Sequence, residues 1–349
     1  MSSSTVTLSA TEIVLPGEVE PEGLEIRTRD LPDPAKGQVV LRMEATGVAF
    51  AEQQMRRGKY YDQPPFPFVP GYDLVGTVTA IGPGVDAALT GRRFAAVTKV
   101  GAWASHLLID AADLMPVPDA IDAADAETVL VNGITAWQML HRTAGVSAGG
   151  TIVVLGANGG VGSTLVQLAR QAGITVIGTA SERHHAMVRE LGATPVDYRA
   201  PGMYARIREL APDGVDAVFD HVGGDAVEQS WRLLRRGGAL VSYGTAATKD
   251  EKGSSQAPVL KLFGRLAAWN TLPNGKSAHF YNLWAGKRRC RASWQRRMSE
   301  DLAQVLRLVA DGALVPRIAA RIPLTEAVSA LRLAESRTVA GKVVIVPDA

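Results

Sequence analysis

Thr151–Ser163 reads TIVVLGANGGVGS, an apolar strand that runs into a glycine-rich turn and then a helix. Backbone N–H groups reach a pyrophosphate only where no side chain stands between. Ala157, Gly159 and Gly162 occupy the three glycine positions of a G-x-G-x-x-G turn, with alanine in the first. Gly159 lets the main chain approach the phosphates, and Gly162 lets the helix close onto the strand. The unpaired N–H groups and the positive dipole end of the helix then face the anion. The contacts expected along the turn are Ala157, Asn158, Gly159, Gly160, Val161 and Gly162.

The same rhythm continues downstream. Ile174–Thr179 (ITVIGT), Val215–Asp220 (VDAVFD) and Ala239–Tyr243 (ALVSY) read as buried strands. Helical patterns over Leu165–Ala172, His184–Leu191 and Ala226–Leu234 lie between them. Strands alternating with helices imply right-handed crossovers and a parallel sheet covered on both faces. The expected fold class is therefore α/β, a doubly wound sheet that binds a dinucleotide.

Before this segment the chain is β-rich. Gly37–Thr46, Val75–Ile81 and Gly91–Val97 read as short strands, with Pro and Gly between them as in a small barrel. The pattern turns helical around Leu130–His141, and Ala340–Pro347 reads as one more strand that rejoins the first domain. The expected barrel domain is 1–127 with 311–349, and 128–310 is inserted into it as the dinucleotide domain, with a cleft between the two.

Bulk properties narrow the class. At 349 residues the chain is long enough for two full cores, and a formal net charge of +2 gives no global field toward nucleic acid or membrane. No apolar run reaches bilayer length, and Met1–Thr5 lacks the regions of a signal peptide. The single cysteine, Cys290, forms no internal disulfide, which fits a reducing cytoplasm. Asp250–Gln256 reads as a solvated loop. The basic cluster Lys287–Arg297 reads either as an exposed loop entering a helix over Met298–Ala310, or as a landing patch for an acidic partner such as a substrate on a phosphopantetheine arm.

Several blocks now combine: Gly47–Tyr60 (GVAFAEQQMRRGKY), Pro67–Thr77 (PFVPGYDLVGT), Asn132–Trp137 (NGITAW), the glycine-rich turn, Asp220–Gly224 (DHVGG) and the Gly341-Lys342 ending. In this order they resemble the medium-chain dehydrogenase/reductase superfamily, specifically its zinc-free quinone-oxidoreductase and enoyl-reductase branch. The resemblance implies a GroES-like β-barrel catalytic domain, a Rossmann domain and hydride transfer in the cleft.

Zinc requires Cys, His or carboxylate ligands in a tetrahedral array. Zinc-dependent relatives carry Cys in the first block and a His-Glu pair in the second; Ala49, Tyr72 and Asp73 stand there in this chain. One thiol also excludes a four-cysteine structural lobe. No metal is expected, and the site must stabilise developing charge through hydrogen bonds.

For the nicotinamide, the second strand ends at Ser181, with Glu182 one residue later and Arg183 and His184 following at once. Either Glu182 binds a ribose 2′-OH, or the hydroxyl and cations bind a 2′-phosphate. The resemblance points to Ser181, Arg183 and Tyr198 as phosphate contacts, with Lys342 a weaker candidate, and so to NADPH rather than NADH. It also places Asn132 and Thr135 at the ribose–nicotinamide end, with Val222 and Tyr243 at later strand ends. The plainer alternatives are that Asn132 caps the following helix and that Thr135 is an ordinary helix residue. His221 reads as a wall of the cofactor cleft.

Tyr60 matches a tyrosine that related enoyl reductases use as proton donor or carbonyl partner; alternatively it only shapes the pocket wall while water supplies the proton. Ala49 is the chief departure, since many quinone-reducing relatives have Asn there. The leading expectation is NADPH-dependent reduction of an enone or enoyl thioester, with a small-molecule substrate that an acyl carrier or coenzyme A could bear. Quinone or carbonyl reduction is the alternative, and an NADPH-binding scaffold with little turnover is the alternative of another class. Trp269 and Phe280 read as packing or as an apolar substrate mouth. Arg265–Trp269 reads as a last strand pairing across a twofold axis, which implies a homodimer.

Overall fold

The computed structural model describes residues 8–244, 246, 256–336 and 338–348. The Asp250–Gln256 loop thus lies almost wholly outside the described residues. The chain packs as two units. One comprises 1–131, 291–310 and 316–349; the other comprises 132–290 and 311–315.

The first unit holds strands β1 (Leu8–Val14), β2 (Glu25–Leu31), β3 (Gln38–Val48), β4 (Asp73–Ile81), β5 (Arg93–Val97), β6 (His106–Asp110) and β7 (Met115–Pro116). The second holds β8 (Thr151–Val154), β9 (Thr175–Ala180), β10 (Ala193–Asp197), β11 (Val215–Asp220), β12 (Leu234–Ser242) and β13 (Ser277–Phe280). The chain then adds β14 (Ile318–Pro323) and β15 (Lys342–Val346) to the first.

In the first unit β1 and β2 form a hairpin-like pair, and the larger sheet runs β14-β15-β3-β4-β5-β7, with β6 also on β3. The return of Lys342–Val346 to β3 is as expected; its register sets Val344 beside Gly47. Inward-facing Leu41, Met43, Leu74 and Ile345 of these strands, with Trp103 from the segment between β5 and β6, fill one buried core. The Trp103 indole N–H finds the Gly47 carbonyl at 3.0 Å, which satisfies a polar group that the core would otherwise strand.

In the second unit all six strands pair in parallel in the order β10-β9-β8-β11-β12-β13. This is the doubly wound Rossmann order, and it reverses direction at β8 and β11. Val153, Ile177, Val218 and Leu240 are buried in the sheet core. After α1 (Phe50–Arg56) and α2 (Ala123–Trp137), helices α3 (Gly160–Gln171), α4 (His185–Leu191), α5 (Met203–Leu210) and α6 (Ala226–Leu233) are crossovers of this sheet.

Two local expectations change. Arg265–Trp269 lies inside a helix, Gln256–Thr271, and the edge strand is Ser277–Phe280 instead. Leu262 and Leu266 face the core four residues apart while Trp269 stacks on Trp231 at 4.7 Å, a helical period that a strand could not satisfy. Second, the helix expected from Met298 begins at Arg291, and it packs with the first unit. Trp294, Met298, Leu302, Val305 and Leu306 bury one of its faces, so much of the basic cluster is helix rather than loop.

Candidate active site

The glycine-rich turn sits where the Rossmann sheet changes direction. Gly156 opens it with φ +70°, the left-handed region that favours glycine. Its N–H bonds the Thr179 hydroxyl at 3.0 Å, and Ala157 N–H bonds the Thr179 carbonyl at 2.9 Å. A Cβ on Gly156 would lie 2.4 Å from the His221 ring. The tight turn is thus made by Gly156, one residue before the alanine assigned to that job from sequence.

The other glycines separate into two kinds. A Cβ on Gly162 would meet the Gly156 carbonyl oxygen at 2.2 Å, so this glycine serves helix–strand closure. A Cβ on Gly160 would meet the Asn132 amide at 2.5 Å. At Gly159 the nearest atom would be 3.4 Å away, and φ is −78°. Nothing inside the protein therefore requires glycine there; the open space above its Cα is what a close-approaching phosphate needs. Helix α3 begins at the next residue, and its first N–H groups have no intrahelical partners.

Asn132 and Thr135 both lie within the helix Ala123–Trp137, so Asn132 is not the N-cap of the helix that carries it. Its side chain packs on the first residue of α3, and Thr135 is buried. At the far side of the turn, Asp220 turns away from His221: its carboxylate accepts from the N–H groups of Val222 and Gly223 at 2.8 and 2.9 Å and from the Ser230 hydroxyl at 2.8 Å. The His221 Nδ1 and the Ser242 hydroxyl oxygen are buried without a hydrogen-bond partner, both at C-terminal strand ends. Burial lowers the His221 pKa, so the ring is neutral. Tyr243 places its ring 5.9 Å from His221, and its N–H bonds the Asp220 carbonyl. Room above Gly159 and unpaired polar atoms at the strand ends fit a dinucleotide.

At the ends of β9 and β10, parallel pairing brings Tyr198 beside Ser181; the Tyr198 N–H bonds the Ala180 carbonyl at 3.4 Å. Ser181 is buried, whereas Glu182, Arg183 and Tyr198 are exposed. Arg199 adds a guanidinium 5.4 Å from the Tyr198 ring.

Within the first unit, Glu52 stands third in α1 (Phe50–Arg56) and reaches back to the Ala49 N–H at 2.9 Å, while its other oxygen accepts from the Tyr72 N–H at 2.8 Å. One carboxylate therefore ties together two of the three positions, Ala49 and Tyr72, that match ligand positions of zinc-dependent relatives. Asp73 holds the Lys342 ammonium at 3.1 and 3.2 Å, and Glu127 holds it at 2.5 Å. All four charged side chains are buried. Burial and the neighbouring Asp73 push the Glu52 carboxyl up to about 7, and burial raises Glu127 as well. Burial works against the Lys342 charge, but Asp73 and Glu127 outweigh it and keep the ammonium protonated. Lys342, the weaker phosphate candidate from sequence, thus has its cation committed to two carboxylates. These residues do not fit a catalytic zinc: Ala49 has no ligand atom and Asp73 faces an ammonium. Among the described residues no group of three His, Cys, Asp or Glu side chains could hold a metal ion.

Tyr60 is also buried, with its hydroxyl 3.1 Å from that of Tyr72. Burial raises its pKa far above the usual phenol value, so at neutral pH it keeps its proton and can donate, and either hydroxyl of the Tyr60–Tyr72 pair can be the donor between them. Sequence reasoning did not find the Glu52–Asp73–Glu127–Lys342 cluster, because its members come from four separate segments. The only local signal was the Glu three residues into α1.

Comparisons with known proteins agree with this architecture. The profile described as "Alcohol dehydrogenase GroES-like domain" matches residues 35–119, and the one described as "Zinc-binding dehydrogenase" matches 191–345. The rat (Rattus norvegicus) synaptic vesicle membrane protein VAT-1 homolog is 31% identical over 329 residues, covering 93% of this chain and 80% of the rat protein. The chain spans a smaller share, 57%, of the human homolog. A mycobacterial protein solved as a complex with NADPH is 28% identical with a TM-score of 0.81, covering 97% of this chain and 100% of that one. The quinone oxidoreductase of Pseudomonas syringae is 26% identical with a TM-score of 0.83, again covering 97% and 100%. The chain belongs to the medium-chain dehydrogenase/reductase superfamily, in its quinone-oxidoreductase and VAT-1-like branch, and by that membership is a quinone-oxidoreductase-like reductase. Among the described residues no helix is long and apolar enough to cross a membrane.

Proposed function

We propose that the chain is an NADPH-dependent, zinc-independent reductase that delivers hydride to an activated alkene, an enone or enoyl thioester. The observation that carries the cofactor half is Gly159, a glycine that the fold does not need, at the start of α3. The relative solved with NADPH supports the same choice. Ser181, Arg183 and Tyr198 gathered at one sheet edge would hold the 2′-phosphate, since an arginine grips it bidentately. Gly159, Gly160 and the α3 amides would hold the pyrophosphate; Asn132, Thr135, Val222 and Tyr243 would line the nicotinamide end. When bound, the nicotinamide supplies the hydride.

On the first unit, Tyr60 donates a hydrogen bond to the oxygen on which charge collects, lowering the barrier to conjugate reduction. Its raised pKa argues that it holds its proton there while solvent protonates the α-carbon. Glu52 and Lys342 touch neither substrate nor cofactor and act through the fold of this region. The quinone oxidoreductases among the relatives favour a second reading, quinone reduction. Ala49 weighs against it, because a methyl group offers a quinone carbonyl no hydrogen bond.

The test is NADPH oxidation against a panel of enones, enoyl-coenzyme A esters, quinones and aldehydes, with calorimetry of NADPH and NADH binding and a bound-metal assay. Fastest turnover with the alkenes is expected, with no stoichiometric zinc. Preference for quinones replaces the substrate half of the reading. Silence across the panel despite tight NADPH binding supports a cofactor-binding scaffold.

A further inference from the structure

Tyr72 sits where zinc-dependent relatives place a ligand, yet its surroundings in this chain are built around its hydroxyl and its backbone. The hydroxyl lies 3.1 Å from that of Tyr60, and both rings are buried. The backbone is held on both sides. Glu52 accepts the Tyr72 N–H at 2.8 Å, and the Tyr72 carbonyl accepts the N–H groups of Thr98 and Lys99 at 2.9 and 3.2 Å. Lys99 has φ +72°, the one non-glycine residue with positive φ among those described. A lysine in that region costs backbone energy, which the fold tolerates where the conformation serves something else. Here it directs a second amide at the Tyr72 carbonyl.

Tyr60 by itself is poorly fixed as a donor. A phenol hydrogen rotates about the C–O bond, and the other neighbouring phenol, Tyr61, packs its ring 4.8 Å from that of Tyr60. A hydroxyl carries one proton and two acceptor lone pairs. If Tyr72 donates to the Tyr60 oxygen, the Tyr60 proton is left to point at an acceptor, and the chain of hydrogen bonds polarises that O–H.

We propose that Tyr72 is a positioning residue for the reduction: its hydroxyl donates to Tyr60 and orients the Tyr60 proton toward the substrate oxygen, and the Glu52, Thr98 and Lys99 contacts exist to hold it there. This rests on the reductase reading above and extends it to a second phenol. Tyr72 touches neither substrate nor cofactor in this role; it acts through Tyr60 alone.

That dependence makes the proposal testable by a double-mutant cycle on the full chain with NADPH and the best alkene of the panel. Tyr60→Phe is expected to lower kcat on the order of 100-fold. Tyr72→Phe, which keeps the ring and its packing, is expected to lower kcat about tenfold with the KM for NADPH unchanged. The double variant is expected to match Tyr60→Phe within about twofold, because the effect of Tyr72 disappears once Tyr60 has no hydroxyl. Multiplying losses in the double variant, or a Tyr72→Phe rate equal to the parent, overturns the proposal. A second readout needs no turnover: with ring-carbon-labelled tyrosine, the NMR resonance of the Tyr60 Cζ, identified by its loss in Tyr60→Phe, should move in Tyr72→Phe. An unmoved resonance also overturns the pairing. If no acceptor in the panel oxidises NADPH, the reductase reading fails by itself, and the resonance still decides whether Tyr72 holds Tyr60.

Discussion

The two polar regions of this protein are built on opposite plans. In the first unit Glu52, Asp73, Glu127 and Lys342 are buried and consume one another: carboxylates meet an ammonium and backbone amides inside the unit. At the glycine-rich edge of the second unit, the protein leaves space above Gly159 and leaves the His221 Nδ1 and Ser242 hydroxyl oxygen unpaired. The buried cluster balances its charge internally, although the Glu127 carboxylate meets Lys342 as an ion pair and makes no hydrogen bond. A polar edge meant for a ligand has groups and room that the protein does not use, and burying unused polar atoms is costly unless something binds them.

That contrast breaks most visibly at Lys342. Lys342→Met leaves Asp73 and Glu127 buried without their cation and should destabilise the fold by about 3–5 kcal/mol, read by chemical denaturation. A loss below about 1 kcal/mol would show that the cluster is not self-sustaining and free Lys342 for a ligand role.

Arg183 tests the opposite edge. Arg183→Ala should weaken NADPH by about 1.5–3 kcal/mol, the worth of hydrogen bonds to a charged group, and leave NADH and unfolding unchanged. Calorimetry with both nucleotides measures it; equal losses for the two would move the 2′-phosphate elsewhere.

The glycines sharpen the same comparison within one turn. Gly159→Ala should change stability by no more than about 0.5 kcal/mol while raising the NADPH Kd at least about tenfold. Gly162→Ala drives a methyl group into the Gly156 carbonyl and should cost about 1–3 kcal/mol of stability as well. Matching stability losses for both variants would mean that neither glycine is kept for a ligand.

A further expected effect is pH-dependent. The Glu52 pKa, about 7, lies above the ordinary carboxyl value of 4.5, so the folded state binds its proton more tightly than the unfolded state. Its contribution is fully present below about 4.5 and is lost as pH rises through about 7. Between pH 5 and pH 8 the parent should therefore lose about 2–3 kcal/mol relative to Glu52→Gln. Thermal unfolding of both proteins across that range checks it, and parallel curves would place the ionisation on another carboxyl.

Much of this was legible in the chain. The run from Thr151 to Ser163 announced strand, turn and helix, because glycine spacing and apolar runs are local properties. Alternating strands and helices then fixed a parallel sheet, since crossover handedness leaves few other arrangements. Arg265–Trp269 was misread because five residues of mixed character fit either period, and only packing against the sheet core chose the helix. The opening Gly156 was passed over because an alanine already filled the first motif position, and its positive φ is a property of the folded turn.

The amino-acid sequence determined the family and the Rossmann topology, because both follow from spacing along the chain. Tertiary structure decided which charges neutralise one another and which phenol supports Tyr60. Glu52, Tyr72, Glu127 and Lys342 are distant in sequence, and a buried charge or hydroxyl acquires its chemistry only from the neighbours that folding brings to it.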